Sequence, residues 1–251
     1  MRQALLSGLA GFCVLISAPS AVAERNWEFS FGGYGGRAFH ADTTIHLTWA
    51  ITPAGFEPTD TKGNGLRFED SGVFGAKISA WYLPRKLHWQ PQIGLEVDGM
   101  RFTADVPPQT VSGEGVGKIS GLPLGDLTLS ERVEFGVDNL AINLLFRYPI
   151  WATLDLPQGR WYPYVGVGGG VQRARLTDIA TGNRETSYSP LFQGLVGIKF
   201  FLIKQIAIFG EAKYTQGWHS FDYAGVGFPP DYRERYTIVT GNVVGGVALH
   251  F

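Results

Sequence analysis

The sequence predicts an all-β protein: an eight-stranded antiparallel up-and-down transmembrane β-barrel preceded by a cleavable signal peptide. Three observations carry that expectation. Apolar side chains recur at every second position over runs of strand length, the period of a strand with one apolar face. Charged residues make up only 17% of the chain, against about 25% in ordinary soluble domains. The connections between the runs alternate between long and short, as in barrels that cross a membrane.

Residues 1–23 read as the signal peptide. Arg2 supplies its positive charge, residues 5–16 its apolar stretch, and Ala21-Val22-Ala23 the small-x-small cleavage pattern. The single cysteine, Cys13, falls inside this segment, so the mature chain would hold neither a disulfide nor a cysteine metal site. No later run is apolar and long enough for a membrane helix. The net charge of −1 gives no reason to expect a nucleic-acid partner.

Residues 24–251 show no break in composition and read as one barrel domain. The alternating runs are about 26–40, 71–82, 90–103, 135–148, 161–175, 188–202, 206–218 and 236–251. In 206–218, Ile206, Ile208, Ala212, Tyr214 and Trp218 share one face, opposite Glu211, Lys213 and Thr215. In the last run Val243, Val247, Leu249 and Phe251 oppose Asn242, Ala248 and His250. The polar face is poor in the exposed Lys and Glu of a soluble sheet. By parity it carries Glu28, Glu96, Asp98 and Glu211 against Lys77, Arg147, Lys199 and Lys213, four acids for four bases. Such balance suits a narrow lumen, where an unpaired ion is costly. The apolar face then meets lipid, which requires a closed sheet without free edges. Gly166 to Gly170 alternates partly with Val and removes bulk from a tightly curved wall.

The long connections are about 41–70, 104–134, 176–187 and 219–235, and the short ones 83–89, 149–160 and 203–205. Long loops mark the outer side and short turns the periplasmic side. Aromatic residues stand at the run ends and would form belts at the membrane boundary. Trp27, Tyr82, Trp89, Trp151, Trp161 and Tyr162 would gather at the inner level. Phe102, Tyr188, Trp218 and Tyr236 would gather at the outer one.

Several of these segments resemble a known family. Asn143-Leu144-Leu145-Phe146-Arg147-Tyr148-Pro149, Tyr162-Pro163-Tyr164 with the glycines after it, and Phe209-Gly210-Glu211-Ala212-Lys213-Tyr214 are similar to strands of the OmpA/Opa-like outer-membrane β-barrel superfamily. The terminal Phe251, with Leu249 and Val247 behind it, resembles the signal read by the outer-membrane assembly machinery. The match covers most of 135–251, while the first hundred residues match only in pattern. The resemblance implies a location in a Gram-negative outer membrane, contacts with outer-membrane lipids and lipopolysaccharide, and no single activity.

Tests for chemistry return little. Gly166–Gly170 is followed by Val171-Gln172-Arg173, without the Lys-Ser/Thr and helix of a phosphate loop. His219 and Ser220 are adjacent, so on a strand they point to opposite faces and do not share a proton easily. The five histidines have no metal-ligand spacing. The expectation is therefore a surface protein without catalysis, cofactor or metal. The lumen charges Lys77, Glu96, Asp98, Arg147, Lys199, Glu211 and Lys213 would form a salt-bridge plug, because eight-strand barrels leave room only for side chains. An extracellular ligand would bind through loops 41–70 and 104–134. The alternatives are a lipid A-modifying barrel enzyme and a narrow channel for small solutes.

Overall fold

The computed structural model describes residues 26–49, 59–84, 90–115, 126–130, 132–153, 156, 158–178, 184–223 and 232–251. The expected signal peptide and Trp89 lie outside these residues. In chain order the described strands are β1 (Trp27–His40), β2 (Thr43–Trp49), β3 (Thr59–Leu66), β4 (Ser71–Tyr82), β5 (Gln92–Thr103) and β6 (Gln109–Glu114). They continue as β7 (Leu127–Leu129), β8 (Val133–Arg147), β9 (Trp161–Asp178), β10 (Arg184–Ile203), β11 (Ile206–Tyr223) and β12 (Tyr232–His250).

The wall runs β1-β4-β5-β8-β9-β10-β11-β12 through antiparallel pairs, and β12 returns to β1 from Ser30↔His250 to His40↔Thr240. The sheet thereby closes on itself, and its strands satisfy their backbone groups laterally. This is the arrangement a β-structure needs in a medium that offers no hydrogen bonds. Side chains alternate along every wall strand. On β5, Gln92, Glu96 and Asp98 are buried inside while Ile93, Leu95 and Val97 face out, 44–57% exposed. The same holds on β8, where Leu140 and Ile142 face out at 58% and 61%. An apolar belt of this extent around the whole wall belongs in hydrocarbon rather than water. Among the described residues no helix is long and apolar enough to cross a membrane.

Two results depart from the sequence reading. The long connections 41–70 and 104–134 contain β2, β3, β6 and β7, which continue the sheet beyond the closed wall; from the sequence such an extension is expected of part of 104–134 and not of 41–70. The far end of β12 leaves β1 and pairs with β2 through Arg233↔Thr48 and Arg235↔His46; β3 then follows β2, and β6 follows β3. Nor do all the boundary aromatics face lipid. Tyr82, Trp27, Tyr188 and Trp218 do, but Phe102, Tyr162 and Tyr236 are buried inside at 1%, 0% and 5% exposure. Each stands on the inward parity of its strand, and the tilt of neighbouring strands does not change parity. In the short connection before β9, Gly159 has a φ of 83°, in the left-handed region; a Cβ there would lie 2.6 Å from the Ile150 carbonyl.

Candidate functional site

The candidate site is the barrel interior, which is filled in layers. At the short-turn end Arg147 on β8 reaches across to Glu28 on β1. Its two terminal nitrogens donate to the carboxylate at 3.1 and 2.8 Å, and Nε donates to Gln92 Oε1 at 2.7 Å. The guanidinium lies between the Trp81 and Tyr162 rings, 4.3 and 4.5 Å from their centroids. A planar cation suits that slot, because it stacks on both rings while its edge makes hydrogen bonds. His250 Nδ1 is 2.7 Å from the same Glu28 carboxylate and its Nε2 is 3.4 Å from Lys199 Nζ. A carboxylate only accepts and an ammonium only donates, so the imidazole carries its proton on Nδ1 and accepts at Nε2.

The second layer is an ion network on three strands, β4, β5 and β11. Lys77 on β4 bonds Glu211 on β11 and lies 3.4 Å from Glu96 on β5. Lys213 on β11 donates to Asp98 on β5 at 2.6 Å and is 3.3 Å from Glu211. Tyr34 donates to Asp98 at 2.6 Å, Gln193 donates to it at 2.9 Å, and Tyr164 donates to Glu211. Asn143 donates to Glu96 at 3.3 Å. The rings of Phe209 and Tyr34 cover the two ammonium groups at 4.1 and 4.0 Å. Close approach of the wall makes room for this. Gly75 leaves the space filled by the Tyr34 phenol, since a Cβ there would stand 2.4 Å from its oxygen. Gly168 does the same for Asn143, at 2.2 Å.

Above the ions lies an amide and hydroxyl layer. Gln172 donates to Asn139 at 2.9 Å, Thr215 and Thr240 pair at 2.8 Å, and His219 meets Gln172 at 2.8 Å. The outer third is apolar: Phe102, Phe135, Phe221, Tyr236 and Ile238 pack with Leu66 and Phe68 from the first long connection. Sequence parity gave no warning of this layer, because the inward face was read as polar throughout. The reason for it is positional. At this height the outward residues, Arg101, Thr103, Glu134 and Arg175 among them, are polar and exposed, so the apolar side chains turn inward and pack together.

The structure brings together all seven proposed lumen charges and Glu28, each 6% exposed or less. Sequence reasoning missed their partners Tyr34, Tyr164, Gln193, Trp81 and Tyr162. The available signal was their inward parity, which set them apart from the lipid-facing aromatics. His219 is buried and points inward while Ser220 is exposed on the other face, so the two share no proton; the nearby Asp222 accepts from Arg233. Gly166, Gly168 and Gly170 form wall opposite Leu145, Asn143 and Ala141, not a phosphate loop. Val247 and Leu249 face lipid, and Phe251 exchanges backbone bonds with Phe29 at 2.9 and 3.3 Å. No group of three His, Cys, Asp or Glu among the described residues is placed to hold a metal ion.

No family model matches the chain, and no curated protein matches it. Among solved structures it is similar to the outer membrane protein OprG from Pseudomonas aeruginosa, at 14% identity over 90% of this chain and 96% of that one, with a TM-score of 0.45. It is also similar to the outer membrane protease OmpT from Escherichia coli, at 9% identity over 92% and 99%, with a TM-score of 0.44. A third is the outer membrane protein AlkL in lipid bilayers, at 17% identity over 93% and 94%, with a TM-score of 0.40. What the chain has in common with them is a closed antiparallel β-sheet.

Proposed function

We propose that this protein is a sealed outer-membrane pillar that carries a folded extracellular sheet, without catalysis and without a conducting path. The observation that supports this best is the stacked filling of the lumen. A permeating ion would have to break the Lys77–Glu211 and Lys213–Asp98 pairs and then cross the apolar layer at Phe135. A water-filled pore needs many more strands around it. The extracellular strands β2, β3 and β6 hang from the far end of β12, and a rigid scaffold of this kind suits the presentation of a binding surface to a partner outside the cell. Contacts with outer-membrane lipids, lipopolysaccharide and, through β12, the assembly machinery belong to the same proposal.

Planar-bilayer recording of the purified chain is the test. The expected result is no resolvable single-channel step in the wild type. Steady conductance that changes size in Glu211→Gln or Lys213→Gln would replace the pillar with the narrow-channel reading.

A further inference from the structure

Just above the apolar belt, the outward face of the wall carries a cluster of charge. Arg101 on β5, Asp138 on β8 and Arg173 on β9 are direct cross-strand neighbours, and Arg175 is the next outward residue on β9. All three guanidiniums donate to the one carboxylate, within 3.1 Å. Asp138 is largely covered at 22% exposure, whereas the arginines remain 36–51% exposed. One acid balances one of three cations, so a surplus of positive charge faces outward. Exposed ion pairs contribute little stability, and three arginines crowded on one acid repel each other. A structural clasp would need only one of them.

Position narrows the missing anion. The next outward residues toward the short-turn end are Leu140 on β8 and Val171 on β9, 58% and 50% exposed. The guanidiniums therefore stand one step outside the hydrocarbon, at the height of lipid headgroups. Tyr188, opposite Arg173 and 67% exposed, flanks them as a boundary aromatic. Further out, a surface cavity of about 500 Å³ opens over Gly136, edged by the acids Asp105, Glu134 and Glu185, the arginines Arg175 and Arg184, and threonine hydroxyls. A Cβ at Gly136 would meet nothing within 4 Å, so the floor is bare backbone. Hydroxyls, three carboxylates and two guanidiniums around an open floor match the hydroxyl groups of a sugar ring, and the forked guanidiniums of Arg101, Arg173 and Arg175 match a phosphate.

We propose that Arg101, Arg173 and Arg175 bind a phosphate on the sugar headgroup of an outer-leaflet glycolipid, and that the cavity over Gly136 receives the adjoining sugar. This rests on the outer-membrane reading above.

The test uses the full barrel in phosphatidylcholine nanodiscs doped with bisphosphorylated lipid A or with lipid A stripped of phosphate. Retained lipid A per barrel is counted by native mass spectrometry. The wild type is expected to prefer the phosphorylated form by about tenfold, and R173Q/R175Q to lose the preference while keeping its heat-dependent gel shift. Equal retention of both forms by the wild type overturns the site. So does full competition by millimolar inorganic phosphate, which would mean a site for free anions. Should the variant not fold, the wild-type preference and its weakening with added salt decide the matter. A wild-type chain that does not enter nanodiscs would overturn the membrane reading itself.

Discussion

Arg147 illustrates how single residues hold the lumen. It is 1% exposed, and among the described residues Glu28 is the one acid paired with it. Removing that answer leaves a buried cation without its anion. Glu28→Ala is expected to cost about 3–5 kcal/mol of stability, read from urea titration in detergent. Adding Arg147→Met to that variant should recover much of the loss, because an apolar pair fills the slot between Trp81 and Tyr162 without desolvating a charge. Glycine at 168 is a second sensitive point. The nearest atoms to a new Cβ include the Ile142 carbonyl at 2.3 Å, and backbone in a closed sheet does not yield as a side chain does. Gly168→Ala is expected to destabilise by about 1–3 kcal/mol, whereas Gly194→Ala, where nothing lies within 4 Å, should be near neutral in the same titration.

At the scale of elements, β12 is the strand on which the architecture turns. It pairs with β11 along its length, closes the wall on β1, and hands its far end to β2. Deleting Phe251 removes both backbone bonds to Phe29 at the seam. The expected outcome is slower closure, seen as a smaller fraction of heat-shifted protein at early times of refolding into vesicles. The β6–β7 pair, by contrast, is peripheral: among the described residues β7 pairs only with β6, at three positions. Replacing 109–129 with a short Gly-Asn turn should leave the heat-shifted band in place while increasing proteolysis of the remaining loops. Loss of the band would mean that Val111, buried in the outer core, is required for closure as well.

At the scale of the whole molecule, two electrostatic systems behave differently in salt. The lumen pairs are sealed from solvent, and mobile ions screen buried charges weakly. Thermal stability in neutral detergent should therefore change little between low salt and about 1 M, where the screening length falls to about 3 Å. Exposed clusters outside the wall, Arg132 with Asp105 and Glu69 among them, will feel that screening fully. Bonding to Asp105 raises the Arg132 pKa, so its guanidinium stays charged at any pH the protein meets. A steep fall of stability with salt would mean that solvent reaches the lumen network.

The wall was legible in the sequence because a strand has a period of two, and that period is local. Runs such as 92–98 and 206–215 declared which residues face lipid and which face inward without any knowledge of neighbours. The charges at 101, 138, 173 and 175 stand on the outward parity too, and it is the cross-strand register that gathers them into one cluster. Parity says nothing, however, about which inward residues meet across the lumen. Glu28 and Arg147 lie 119 positions apart, and Lys77 and Glu211 lie 134 apart. Those partnerships, the aromatic slot around Arg147, the apolar outer third and the return of β2 onto β12 depend on register and closure. They are set by which strands stand opposite one another in the finished ring, a long-range geometry that no window of sequence contains.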